Sequence, residues 1–216
     1  GRVEFDINGS KFSGANRITG VAAYASPTGR GDNLSASALV STTGGLKFAL
    51  VSYTTPLGSQ GLKVGGSLST VSYHLDKVLL PLGLEGTANA FNVFGLYPVI
   101  RSRNLNVFAQ ATIEAKAFED ITTGAGNLTT TKRSNNLQLG LVGDFRDNLL
   151  TGGVSSYEIS WLKGKLTSNN VIQPTSGNFD KLTIGYARLQ NIISGRLLAY
   201  GRYKGQLTNT NLDTTE

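Results

Sequence analysis

Side chains able to do chemistry are few in this chain of 216 residues, and they are poorly placed for it. It has one histidine, His74, and no cysteine. A Ser–His triad would have to use His74, and a zinc site would need carboxylates to complete its ligands. His74 stands near the end of an alternating run, beside Tyr73 and Leu75, where a polar residue at a rim is the plainer explanation. Glu119 and Asp120 are adjacent in a polar stretch, expected to be a long loop. Carboxylates that share acid–base work face each other across a pocket, so surface charge accounts for this pair better. Arg30-Gly31-Asp32 spells an adhesion tripeptide, yet Gly and Asp are also what tight turns use. GSQGLKVGG lacks the Lys-Ser/Thr pair and the following helix of a phosphate-binding loop. The chain is therefore not expected to be an enzyme, nor to hold a metal or a cofactor.

One polar set carries weight only through its neighbours. Gln110, Glu114 and Lys116 interleave with Ala109, Ala111, Ile113, Ala115 and Ala117, and Arg202, Lys204 and Gln206 interleave with Gly201, Tyr203, Gly205 and Leu207. If the apolar partners faced lipid, these residues would line a wet lumen whose mixed charge suits a polar, extended solute. A merely solvated wall explains them equally well.

The elements that would position such a set follow from pattern. LNVFAQATIEAKAF (105–118) is rich in good helix formers. It nevertheless alternates strictly, with apolar residues at every odd position from Leu105 to Ala117. The same alternation runs through Leu34–Val40, Phe91–Tyr97, Leu137–Phe145, Tyr157–Trp161, Leu182–Tyr186 and Leu197–Leu207. Period 2 along the whole chain, with no capped segment of period 3.6, predicts an all-β fold. About eleven strands are expected, near residues 2–9, 17–26, 33–41, 46–54, 62–75, 90–97, 105–118, 134–145, 154–166, 179–188 and 196–208.

Composition narrows the class. Charged residues are 16% and hydrophobic residues 39%, both below the usual globular share, while glycine reaches 27 residues. Eight Tyr and nine Phe within patterned segments argue against disorder. No apolar run approaches a transmembrane helix. The net charge of +6 is spread over scattered Lys and Arg, so neither a nucleic acid nor a nucleotide is an expected partner. There is no Met and no signal peptide, and the chain is expected to be a mature product or a fragment.

The connections alternate between short and long, with only the TTGG connection near residue 43 breaking the rule. SPTGRGD, TPLGSQG, PVIRSR, RDNLLTGG and LQNIISG are compact, whereas DKVLLPLGLEGTAN, EDITTGAGNLTTTK and TSNNVIQPTSGN are long and polar. A meander with short turns at one end and long loops at the other is the signature of an outer-membrane barrel. The bilayer explains the pattern, because backbone groups in lipid must all be paired, so strands span uninterrupted and close on one another. Strands of ~14 residues at ~3.3 Å each, tilted by ~45°, rise ~33 Å and clear the ~25 Å apolar band. A soluble adhesin-like sandwich or solenoid is the alternative that pattern leaves open.

Several motifs carry a family resemblance. SPTGRGDNLSASALVS, with Gly31 and Asp32, resembles the NP-x-G-x-GD turn and Leu-Ser-rich strand of the two-partner-secretion transporters, of haemolysin-activator and filamentous-haemagglutinin secretion type. FALVSYTTPLGSQGLKVGGSLSTVSYHL, with Pro56, Leu57 and Gly58, looks like that family's next hairpin. LYPVIRSRNLNVFAQA, with Arg101 and Arg103, is similar to its YP-[LI]-IRSR-x-x-N turn, and NLDTTE, with Asn211, Leu212, Asp213 and Glu216, to its NLD-[ST]-[ST]-E sequence. The resemblance implies a sixteen-stranded barrel preceded by periplasmic POTRA domains, of which residues 1–216 would be a single partial domain. It also implies a V-R-G-Y lumen loop just beyond NLD-x-x-E, for which this chain has no residues. The expected function is export of one dedicated large secreted protein, unfolded, from the periplasm across the outer membrane of a Gram-negative bacterium. Expected partners are that exoprotein and membrane lipid. The alternatives are an assembly factor for outer-membrane proteins, a diffusion porin, or an adhesin-like β domain outside any membrane.

Overall fold

The computed structural model describes residues 2–6, 16–41, 45–75, 83–122, 128–169 and 176–209. They form eleven strands: β1 (Arg2–Asp6), β2 (Arg17–Ala25), β3 (Asn33–Ser41), β4 (Leu46–Leu57), β5 (Leu62–Leu75), β6 (Leu84–Arg101), β7 (Leu105–Thr122), β8 (Leu128–Asp147), β9 (Gly153–Ser168), β10 (Gly177–Ile193) and β11 (Leu197–Thr208). All belong to one sheet, every strand pairing antiparallel with its sequence neighbours in the order β1 to β11. Among the described residues β1 pairs only with β2 and β11 only with β10. The helix-prone stretch 105–118 is the body of β7, so alternation outweighed propensity.

β3 and β5 have the expected bounds, whereas β4 and β6 to β10 are longer than expected, and the difference is instructive. β6, β7, β8 and β10 take in EGTAN, EDIT, LTTTK and GN, which the hydropathy pattern assigned to loops. Above an apolar band both faces of a sheet meet water, so alternation fades while the backbone ladder continues, as in Glu119↔Thr131 and Asp120↔Thr130. β6 also runs past the expected turn at Pro98, with a register shift between Pro98 and Ile100. Proline offers no N–H to a ladder, and a bulge is where a sheet accepts it. The 20 residues of β8 extend roughly 65 Å, which tilted by ~45° is about 46 Å of rise.

The connections 26–32, 58–61, 102–104, 148–152 and 194–196 gather at one end of the sheet and the remaining ones at the other. Positive backbone angles at Gly29, Gly31, Gly58, Gly61, Gly152 and Gly195 close the first group. Gly61 lies so near its neighbouring turn that a methyl group there would stand 3.0 Å from the Pro98 ring.

Among the described residues no second layer covers this sheet, and they do not form a sandwich. One face is apolar over a broad band. Ala111, Leu139, Trp161, Leu182 and Leu207 form one row across five strands, and Ala109, Leu141, Ile159 and Ile184 the next. Leu137, Leu139 and Leu141 are 39–44% exposed, and Ile113 is 60% exposed. A large apolar face left uncovered is stable against lipid and not against water. A row of Tyr157, Tyr186 and Tyr203 borders the band on the side of the short turns, and Tyr24, Tyr53 and Tyr97 also lie toward that end. Tyrosine at the edge of an apolar belt keeps its ring in the hydrocarbon boundary and its hydroxyl in water.

Candidate functional site

The opposite face is polar and more enclosed. On β8, Ser134 and Asn136 are 0% and 5% exposed, although the leucines that alternate with them are open. Ser160, Leu166 and Phe179 on β9 and β10 are also buried on this side. Such crowding is what curvature does to the inner face of a sheet.

Register places the polar set on this face together. Gln110, Gly140, Ser160, Thr183 and Gln206 make one row from β7 to β11. Lys204 continues the row of Gly185, Glu158, Val142 and Phe108, and Arg202 that of Ala187, Ser156, Asp144 and Asn106. Glu114 and Lys116 share the β7 parity of Gln110, whereas Leu105, Val107, Ile113 and the interleaved alanines take the other face.

Part of this set forms a network. The Lys116 ammonium lies 2.9 Å from Glu114 Oε1, both side chains about one-quarter exposed. Asn136 Nδ2 donates to the same oxygen at 3.2 Å, and the Ser134 hydroxyl donates to Asn136 Oδ1 at 3.0 Å. Glu114 therefore holds a cation and an amide from the next strand, and the wall carries paired rather than naked charge. Beside it is a polar recess of about 230 Å³ lined by Asn92, Phe94, Gln110, Thr112, Glu114 and Gln138. Arg202, Lys204 and Gln206 are exposed on the outermost described strand, away from this network.

Glycine opens space for the aromatic wall. A methyl group on Gly164 would fall on the Phe179 ring, which lies across it from β10. At Gly86 it would meet Tyr73 and Asp120, whose hydrogen bond (Tyr73 hydroxyl to Asp120 Oδ1, 2.5 Å) passes over β6 to link β5 with β7. Asp120 and Glu119 are thus strand residues on opposite faces and do not lie in the loop expected for them.

The other motif residues have structural duties. Asp32 is 2% exposed and sits inside its turn, accepting from the Thr28 N–H at 3.2 Å and the Tyr53 hydroxyl at 2.8 Å. Burial raises the pKa of its carboxyl, but the bonds from Tyr53, Thr28 and its own backbone hold it below the usual value. An adhesion tripeptide needs a free aspartate, and this one is consumed by the fold. Pro56 and Leu57 end β4, ahead of the Gly58–Gly61 turn, and Gly31 faces Pro56. Arg101 and Arg103 are exposed at the tight 102–104 turn, which Ser102 closes by accepting from the Leu105 N–H at 3.0 Å. His74 Nδ1 lies 3.2 Å from Glu85 Oε2 at the opposite rim, both groups exposed. Asn211, Leu212, Asp213 and Glu216 lie outside the described residues. No cluster of three or more metal-ligating side chains occurs among the described residues.

Sequence reasoning missed one constellation. Arg188 binds Asp147 in a fork, with donor distances of 2.7 and 2.8 Å, and donates to Ser155 at 2.8 Å. Gln190 accepts from Arg188 Nε at 2.8 Å and donates to the carbonyl oxygens of Leu149 and Gly152. The cluster locks β8, β9, β10 and the 148–152 turn at the short-turn rim. Arg188 and Asp147 are 41 residues apart, and no local spacing announces the pair.

No family model matches the chain. In sequence it is 24% identical over 166 residues to the heme/hemopexin transporter protein HuxB of Haemophilus influenzae strain 86-028NP, and 23% identical to the same protein of strain Rd. Each match covers 77% of this chain, and the chain spans 29% of the length of these curated relatives. In structure it is similar to CdiB from Escherichia coli, with a TM-score of 0.77 at 14% identity, over 97% of this chain and 40% of CdiB. The fold is that of the CdiB barrel, and the resemblance to two-partner-secretion transporters extends from motif order to sequence and to fold.

Proposed function

We propose that this chain is the N-terminal part of the barrel of an outer-membrane transporter that exports a dedicated large secreted protein. The observation that carries the proposal is the division of one eleven-stranded meander into an apolar face and a polar face, with the Glu114–Lys116–Asn136 network on the latter. Lipid takes the first face. An unfolded polypeptide in transit takes the second, where amides, hydroxyls and paired charges offer many weak, non-retaining contacts. Arg202 and Lys204, which have no ion pair among the described residues, add positive charge that attracts acidic segments of the passenger. Transport of this kind asks no catalytic group, cofactor or nucleotide of the barrel. The similarity to HuxB and CdiB supports the same function. Among the described residues β1 and β11 are each paired on one side only, and in lipid those outer edges would have to be paired as well.

The test is made in the source bacterium with the full-length gene. Deleting it should trap the neighbouring large exoprotein in the periplasm while the other outer-membrane proteins keep their abundance. Continued secretion would refute the proposal, and a general fall in outer-membrane proteins would point to an assembly factor instead.

A further inference from the structure

A cationic patch lies on the lipid-facing side, at the end opposite the short turns. There the apolar band ends in the row Ile113–Leu137–Lys163–Asp180, and the following rows carry Asn135, Lys165 and Asn178, then Arg133 and Thr167. Lys163 and Lys165 are two apart on β9, and Arg133 is diagonal to Lys165 on β8, so Lys165 lies in the middle with each of the other two backbones within ~8 Å of it. All three cations are exposed, and no hydrogen bond or ion pair engages them among the described residues. The nearest anions on the same face are Glu119, diagonal to Arg133 on β7, and Asp180, which is occupied by the Asn209 amide at 3.2 Å; Glu85 on β6 and Asp147 at the far rim share the face but are engaged by His74 and Arg188. Asn135, Asn178 and Thr167 supply neutral donors around them.

We propose that Arg133, Lys163 and Lys165 bind the phosphate groups of a phosphorylated glycolipid of the outer leaflet, with the acyl chains lying on the apolar rows below. This rests on the membrane-spanning reading above. Three observations favour that occupant. The cations stand immediately above an apolar surface, from which long basic side chains reach outward to lipid phosphates by snorkelling. They point away from the proposed channel, so the passenger does not meet them. Finally, they stand at the rim of the longer connections, which in such barrels is the outer one. A planar guanidinium with two ammonium groups suits a phosphate better than a carboxylate-rich protein surface.

The test uses the full-length transporter purified in detergent and the triple variant Arg133→Gln, Lys163→Gln, Lys165→Gln. Both are titrated with diphosphorylated lipid A, with its dephosphorylated form and with inorganic phosphate, and bound lipid is read by native mass spectrometry. Diphosphorylated lipid A should bind the wild type selectively. The variant should lose affinity on the order of 100-fold, about fivefold for each cation. A second triple variant that preserves charge (Arg133→Lys, Lys163→Arg, Lys165→Arg) should retain binding. Equal binding of the dephosphorylated lipid, or full displacement by millimolar phosphate, would overturn the assignment. So would an unchanged affinity of the Gln variant. Fractionation separates this inference from the one beneath it. A chain found in the outer membrane without selective lipid binding sinks the lipid site alone, and a chain absent from that membrane sinks the transporter reading.

Discussion

Leu139 and Gln138 are neighbours in β8, and the two faces of the sheet make opposite demands on them. Leu139 lies in the centre of the apolar band, with Leu137 and Leu141 beside it on the strand and Trp161 across from it on β9. Gln138 lies on the polar face, lining the recess near Glu114. Replacing Leu139 by Arg puts a guanidinium near the bilayer midplane, at a cost of about 2–4 kcal/mol, whereas a lumen substitution costs far less. That penalty lowers the folding constant by roughly 30- to 700-fold. Gln138→Arg adds the same group one residue away with water in reach, and should shift stability by less than about 0.5 kcal/mol. The assay is urea-dependent unfolding of the full-length transporter from phospholipid vesicles, with tryptophan emission as the readout. Leu139→Arg should move the midpoint sharply and Gln138→Arg hardly at all. Equal shifts, or a larger one for Gln138→Arg, would show that the faces are reversed or that neither meets lipid.

Gly164→Leu should destabilise the barrel by about 1–3 kcal/mol, because the new side chain overpacks against Phe179. Adding Phe179→Ala should restore part of that loss, seen as a recovered melting temperature. Glu114→Ala should cost about 1–3 kcal/mol by leaving Lys116 and the Asn136 amide without their shared acceptor, and a double-mutant cycle with Lys116→Ala should give clear coupling. Asp32 predicts a pH dependence. Its folded pKa is lowered, so its contribution is fully present above the unfolded value of about 3.9 and is lost as pH falls through that value toward the folded one. The stability gap between wild type and Asp32→Asn should be largest near neutrality and shrink in acid, and a gap that widened in acid would contradict the assignment.

The residues alone determined more of the architecture than of the site. Strict alternation in 105–118 and 137–145 fixed strand type and sorted Gln110, Glu114 and Lys116 from Ile113 and the alanines, because side chains of a strand can point only two ways. Turn chemistry located the short connections, since Gly29, Gly31, Gly58 and Gly61 hold angles that other residues resist. The strand ends were not legible, for a ladder standing in water needs no hydropathy pattern, and Glu119–Thr122 and Leu128–Arg133 carried none. Nor did local sequence reveal that Gln206 shares a row with Gln110, that Glu114 holds both Lys116 and Asn136, or that Arg188 forks onto Asp147. Those contacts depend on the register between strands, which is set by the accumulated pairing of the whole meander. The cations Arg133, Lys163 and Lys165 become one patch for the same reason, and only the tertiary structure could place them together on the outward face.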